Sequence, residues 1–250
     1  MMRNDFLGGK LNLRGGMSTR SYNKAFRSAH PEYFDPYGLM VFCGPQGAGK
    51  TISAVRYCRS VLEKYPDALF CSNVAIRGLE GRTIPYDGMK SLCDLENGYA
   101  GVLYLIDEIH LEFNSLESKS ISIEEMTEFA QQRKQRKHIV GTSQVFMRLA
   151  KPLREQIKDV VLCRTIMGFI QCNELIDGTT AHEEDGRLVA ESKGVYYWCH
   201  TPELYESYDT YAKMHRYRQA WSTRSSAPVG TLYSGEGSQR FRGKSGSRRI

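Results

Sequence analysis

Near-continuous apolar runs recur along the middle of the chain, separated by turn residues or by stretches with helical periodicity. An uninterrupted apolar run is typical of a strand that is covered on both faces. Strands that alternate with helices favour a mainly parallel sheet with helices on both faces, so the predicted fold class is α/β. The predicted buried strands span residues 39–43, 68–74, 101–107, 138–143 and 159–166.

The polar positions between these runs indicate where helices begin. Ser122 and Glu125 form a capping box ahead of an apolar stripe. Thr201 is a suitable N-cap, and Pro202 fits the first helical position. The three predicted helices cover residues 51–65, 122–137 and a segment that starts at 202 and carries Tyr205 and Tyr208.

Residues 169–198 have a different pattern, with shorter alternating runs around Asp177-Gly178 and around a polar loop at 182–187. Such runs joined by turn residues predict antiparallel strands. We therefore expect a small antiparallel β extension on the edge of the parallel sheet.

The charge is concentrated at the two ends of the 250-residue chain, whose net charge is +6. Residues 1–30 contain six Lys or Arg and one Asp, and residues 222–250 contain six Lys or Arg and one Glu. The predicted organisation is a basic, Gly-rich arm at 1–37, the α/β domain at 38–221 and a basic, disordered tail at 222–250. Basic ends suit an acidic polymer such as DNA, and solubilising tails are the alternative.

The apolar runs are far shorter than the ~20 residues that a membrane-spanning helix needs. We therefore expect no integral membrane segment, and no secretory leader is visible. Seven scattered cysteines without a C-x-x-C pair predict small buried side chains in a reducing compartment. The expected location is the cytoplasm of the cell that makes the protein.

The segment Gly44-Pro45-Gln46-Gly47-Ala48-Gly49-Lys50-Thr51 matches G-x-x-x-x-G-K-[ST] and joins a predicted strand to a predicted helix. Main-chain N–H groups in such a turn, together with the helix N-terminus, bind phosphates. Lys50 is expected to reach the β- and γ-phosphates of ATP, and Thr51 to ligate Mg²⁺. The residues predicted to bind the nucleotide are Gly44, Pro45, Gln46, Gly47, Ala48, Gly49, Lys50, Thr51 and Ile52.

Asp107 and Glu108 follow directly after the apolar run 102–106. An acid at the tip of the neighbouring strand holds the metal in P-loop NTPases, which assigns Asp107 to Mg²⁺. Glu108 is then placed to act as the base that activates the attacking water. The alternative to this catalytic interpretation is that the two acids only cap a helix that follows the strand.

Further polar residues follow the run 138–143. Gln144 ends this strand and is the candidate sensor of the γ-phosphate, with a simple loop glutamine as the alternative. Arg133 and Arg136 continue the stripe of the second helix and are candidates for an arginine finger that reaches a neighbouring subunit. Arg148 and Arg154 are further candidates for this finger. The alternative is that the cations at the end of the second helix only complement its dipole.

These motifs, in this order, resemble the Zot-like phage ATPases of the HerA/FtsK superfamily over about residues 38–212. The resemblance is carried by Gly44–Thr51, Asp107-Glu108, the basic segment 133–138, Thr142-Ser143-Gln144, Leu153-Arg154 and the segment Tyr205–Thr210, which is similar to the family's Tyr-Asp-Thr segment. It implies an additional-strand P-loop fold and a ring-forming ATPase that moves DNA, with ATP bound between subunits. Members that extrude filamentous phage continue into a membrane helix, which is not expected here. The resemblance also implies a location in the cytoplasm of the host cell or in association with a virion.

The sequence therefore predicts a DNA-translocating or genome-packaging ATPase that uses ATP and Mg²⁺. The catalytic assignments are Lys50, Glu108, Gln144, Arg136 and Arg154. DNA, further copies of the chain in a ring, and capsid or portal proteins are the expected partners. A phage-extrusion ATPase, a replication helicase-like remodeller and a slow nucleotide-gated scaffold remain alternatives.

Overall fold

A computed structural model describes residues 13–113, 131–132, 134–184 and 187–209. Its main feature is an eight-stranded sheet whose strands follow the order β11-β8-β7-β1-β6-β5-β2-β4. The strands of this sheet are β1 (Gly38–Cys43), β2 (Leu69–Ser72), β4 (Thr83–Pro85), β5 (Val102–Ile106), β6 (Lys137–Ser143), β7 (Ile157–Ile166), β8 (Ile170–Asp177) and β11 (Ser192–Cys199).

Six of these strands, from β7 to β4 in the spatial order, pair in parallel. β8 and β11 pair antiparallel and extend the sheet beyond β7. The predicted α/β class, with its mainly parallel sheet and antiparallel β extension, is confirmed. All five predicted buried strands are present, with boundaries that differ by at most two residues at either end.

Alternate residues of the central strands pack into two different apolar cores. Leu39, Val41 and Tyr104 belong to one core, whereas Phe42 and Leu103 belong to the other. Both faces of the sheet are therefore covered by apolar side chains and shielded from water. This explains why the strand sequences are continuous apolar runs.

The longer helices are α1 (Leu13–Ala29) and α2 (Lys50–Lys64), and the shorter ones are α3 (Met89–Asp94), α4 (Lys151–Arg154) and α5 (Pro202–Glu206). Short strands complete the structure: β3 (Ala75–Ile76) pairs with β12 (Tyr208–Asp209), and β9 (His182–Glu184) pairs with β10 (Arg187–Val189). Within the described residues, no helix is both long and apolar enough to cross a membrane.

Helix α1 lies within the segment read from the sequence as an arm, and its pattern does not predict a helix. Near its end, Phe26 packs edge-on against Tyr33 and Tyr99, with ring centroids 5.4 and 6.3 Å apart. These aromatic contacts attach the helix to the edge of the sheet at which the parallel strands begin.

Two helix predictions need correction. The predicted helix 122–137 extends too far, because Arg136 has a φ of 54° and Lys137 already belongs to β6. Its capping residues lie outside the described part of the chain. The helix that starts at Pro202 ends at Glu206, so Tyr208 lies on a strand rather than on that helix.

Candidate active site

The turn between β1 and α2 depends on glycine. Gly47 and Gly49 have φ values of 78° and 77°, in the left-handed region that favours glycine. A Cβ atom at Gly49 would also lie 2.1 Å from Oε1 of Gln171, which is fully buried. Both the backbone conformation and the surroundings therefore require glycine at this position.

The first two residues of α2 face different partners. Lys50 Nζ donates to the carbonyl oxygen of Pro45 at 2.9 Å, so the ammonium group lies over the turn. Thr51 Oγ1 donates to Oδ1 of Asp107 at 3.0 Å. The next predicted nucleotide-binding residue, Ile52, is only 2% exposed.

Asp107 follows β5 and is held through both its side chain and its main chain. Its Oδ1 also accepts from Thr142 Oγ1 at 2.6 Å. Asn73, after β2, donates from Nδ2 to the Asp107 carbonyl at 3.1 Å and accepts from the Asp107 N–H at 2.8 Å. Residues after three neighbouring strands thus orient one carboxylate toward the glycine turn at residues 44–51.

Glu108 has a φ of 55°, which is uncommon for a residue with a side chain. Its N–H donates to Thr142 Oγ1 at 2.8 Å, and its side chain is half-buried. The left-handed backbone turns the chain sharply after β5, so that the second acid stays at the same edge of the sheet as the first.

Gln144 follows β6 at this same edge, because β1, β5 and β6 run parallel. Arg148 is exposed, and its Nη1 lies 3.5 Å from Oε1 of Gln144. The structure therefore brings Gln144 and Arg148 to the edge that carries Lys50 and Asp107.

Arg136 and Arg154 have different surroundings. Arg136 precedes β6 and lies at the opposite edge of the sheet, roughly 20 Å of strand from Gln144. Its guanidinium group stacks 3.5 Å above the ring centroid of Tyr33 and donates to the Phe34 carbonyl. This position is incompatible with a role at the nucleotide of its own subunit, and a role toward a neighbour stays a prediction.

Arg154 ends α4, and two residues separate it from the start of β7. Its Nη1 contacts the sulfur atom of Met147 at 2.6 Å, and its guanidinium group lies 6.0 Å from the ring centroid of Phe146. These contacts turn it toward the apolar core, and its assignment as an arginine finger also stays a prediction.

Sequence reasoning missed a polar cluster that lies behind the phosphate-binding turn. Gln171 is fully buried and donates from Nε2 to the carbonyl of Ala48 at 3.0 Å. Asn73 and Thr142 were not assigned roles either. A polar residue inside an apolar strand run is the signal that could have identified Thr142 and Gln171.

The charge of Asp107 also acts on Tyr208, which lies on β12. Burial raises the pKa of the Tyr208 phenol, and the negative charges of ionised Tyr205 and of Asp107 raise it further. The segment after α5 therefore lies close enough to Asp107 for the carboxylate charge to act on the Tyr208 phenol.

No family model and no curated protein matches the chain. Solved structures that are similar to it include the N-terminal domain of zonular occludens toxin from Neisseria meningitidis. That likeness has 14% identity and a TM-score of 0.47, and it covers 69% of this chain and 98% of that domain. The genome packaging NTPase B204 from Sulfolobus turreted icosahedral virus 2, in complex with ATP-gammaS, shares 12% identity over 67% of this chain and 98% of its own, with a TM-score of 0.46.

Proposed function

We propose that the chain is an ATP-hydrolysing motor that forms an oligomeric ring and translocates or packages viral DNA. The observation that carries the hydrolytic part is the hydrogen bond between Thr51 and Asp107, 3.0 Å long. It joins the end of the phosphate-binding turn to the acid at the tip of β5, which is the pairing that a phosphoryl-transfer site requires.

The donor set at this point suits a magnesium ion. The Thr51 hydroxyl and the Asp107 carboxylate are hard oxygen ligands, which Mg²⁺ prefers in company with phosphate oxygens and water. When bound, the ion would neutralise the charge that develops on the phosphates. Thr142 and Asn73 keep the Asp107 carboxylate turned toward that position.

The remaining residues have separate roles. Main-chain N–H groups of residues 44–51 bind the phosphates, and Lys50 moves from the Pro45 carbonyl to the β- and γ-phosphates. Glu108 takes the proton of the attacking water. Gln144 senses the γ-phosphate, and Arg148 is the arginine whose position beside it best suits contact with a neighbouring subunit.

The DNA-binding part is supported by the charge of α1. Arg20, Lys24 and Arg27 are exposed at spacings of four and three residues, which places them on one side of the helix. No acidic residue occurs between residues 18 and 29, and the ion pair of Arg27 with Asp35, 3.1 Å long, is exposed and therefore weak. A one-sided row of cations is suited to contact with a phosphate backbone.

The test is ATP turnover of the full chain with and without double-stranded DNA, in the wild type and in Glu108→Gln. We expect DNA to stimulate the wild type, and the variant to bind nucleotide but to lose at least about a hundredfold in turnover. Glu63→Gln, which changes an exposed glutamate on α2, is the matched control.

Unchanged turnover in Glu108→Gln would exclude Glu108 as the base. Hydrolysis that DNA does not stimulate would favour the nucleotide-gated scaffold over the motor. Strand separation of duplex DNA in the absence of capsid components would favour the helicase-like alternative.

A further inference from the structure

Gln171, near the start of β8, uses both ends of its side-chain amide. Nε2 donates to the Ala48 carbonyl at 3.0 Å and to Asn173 Oδ1 at 2.8 Å. Oε1 accepts from Thr165 Oγ1 at 3.0 Å and lies 3.0 Å from His200 Nε2. Two donations and two acceptances are the full capacity of a primary amide, so the side chain is fixed in one orientation.

The Ala48 carbonyl belongs to the peptide unit that joins Ala48 to Gly49. A peptide unit is planar and trans, so its C=O and N–H groups point in opposite directions. When Gln171 holds the Ala48 carbonyl, the N–H of Gly49 is turned away from β8. An N–H turned away from the sheet is placed to line the concave side of the turn, where a phosphate would bind.

From this geometry we propose that Gln171 is a positioning residue that holds the Ala48–Gly49 peptide in the orientation required for phosphate binding. The proposal rests on the nucleotide-binding function proposed above. It assigns a role in the nucleotide site to the antiparallel extension of the sheet.

The surroundings of Gln171 explain why the extension is suited to this role. β7 runs parallel to β1, so the turn between β7 and β8 lies at the edge that carries the phosphate-binding loop. His200, directly after β11, reaches the same amide and also contacts the Tyr205 hydroxyl. The orientation of the loop therefore depends on three strands and on Tyr205 of α5.

Two substitutions separate the functions of the amide. Gln171→Met keeps the length of the side chain and removes every hydrogen bond. Gln171→Glu keeps an acceptor for Thr165 and His200 but has no donor for the Ala48 carbonyl when ionised. Cys172→Ala is the matched control, because it changes the next residue of β8, whose side chain points to the opposite face.

The first measurement is the affinity of the full chain for a fluorescent ATP analogue. We expect both Gln171 variants to bind it about tenfold more weakly than the wild type, as suits the loss of a buried hydrogen bond. Cys172→Ala should bind within twofold of the wild type, even if its thermal stability falls. An affinity within twofold of the wild type in Gln171→Met would overturn the proposal.

The second measurement is amide hydrogen exchange of residues 44–51 in the absence of nucleotide. Exchange there should be about tenfold faster in Gln171→Met, while the buried strand β5 keeps its protection. Equal exchange of the loop in both proteins would overturn the proposal. This result is independent of hydrolysis: an inactive wild type would contradict the proposed function, whereas the exchange comparison would still decide the role of Gln171.

Discussion

The Thr142 hydroxyl donates to the Asp107 carboxylate at 2.6 Å and accepts from the Glu108 N–H at 2.8 Å. One side chain on β6 therefore sets the position of both acids that follow β5. Thr142 is fully buried, so water cannot replace it in either hydrogen bond.

Thr142→Val replaces the hydroxyl by a methyl group of similar size. We expect kcat for ATP hydrolysis to fall about 10- to 100-fold, the range typical when an outer partner of a metal ligand is lost. Thr142→Ser keeps the hydroxyl and should remain within a few-fold of the wild type. Steady-state ATPase assays at saturating Mg²⁺ measure the difference, and equal kcat values for the Val and Ser variants would contradict the prediction.

Gly49→Ala should lower the stability of the fold for two reasons. The residue has a φ of 77°, and the added carbon would lie 2.1 Å from Gln171 Oε1. We expect the free energy of unfolding to fall by about 3 kcal/mol or more. Gly78→Ala is the matched control, since Gly78 has a similar φ of 84° but open space around it. Its cost should be about 1–2 kcal/mol, from backbone strain alone.

Urea unfolding measures both variants. A similar loss of stability in the two would show that the surroundings of Gly49 give way, and that Gln171 is not a rigid support for the loop.

His138 should make stability depend on pH. Burial lowers the pKa of its imidazole to about 4, against a reference value of 6.5. The ring is neutral when folded, with Nδ1 2.9 Å from the Gly38 carbonyl and Nε2 2.9 Å from the Tyr57 hydroxyl. Because the unfolded chain binds the proton more readily, stability is complete above pH 6.5 and falls between pH 6.5 and about 4.

The lowered pKa of His138 corresponds to a loss of about 3 kcal/mol in the free energy of unfolding at the acid end of this pH range. His138→Gln is expected to be less stable at neutral pH but to lose less stability on acidification. Unfolding free energies at pH 7, 5.5 and 4.5 test this difference. Parallel pH profiles of the wild type and the variant would contradict it.

The cations of α1 are expected to contact DNA phosphates. Replacement of Arg20, Lys24 and Arg27 by Gln should weaken binding to any sequence and reduce the slope of log K against log salt by about 3. A matched control replaces the exposed Lys64, Lys90 and Lys151. If both triple variants lower the slope equally, the effect comes from net charge rather than from α1.

Sequence reasoning placed strands, turn and helix correctly where the information is local. The glycine turn, Lys50 and Thr51 lie within eight residues, and Asp107 lies at the end of a continuous apolar strand. The roles proposed for them were assigned without knowing which strands are neighbours. The continuous apolar runs also predicted a sheet that is covered on both faces.

The supporting residues could not be predicted in the same way. Asn73 and Thr142 lie 34 and 35 residues from Asp107, and Gln171 lies 123 residues from Ala48. Only the order of the strands brings them together. The sequence pattern did not predict helix α1, because Gly15 and Gly16 lower its intrinsic helix propensity. The helix is instead supported by contacts of Phe26 with Tyr33 and Tyr99, which are distant in sequence and cannot be read from a local pattern.

With Glu108 in its proposed role as the base, its left-handed backbone makes activity and stability favour different residues at position 108. Glycine or asparagine would relieve a strain of about 1 kcal/mol at this position, yet neither can take a proton from water as a carboxylate does. A library selected for thermal resistance alone should therefore enrich glycine and asparagine at position 108 and yield inactive proteins. Only selection for turnover would keep a glutamate in a conformation that its own side chain disfavours.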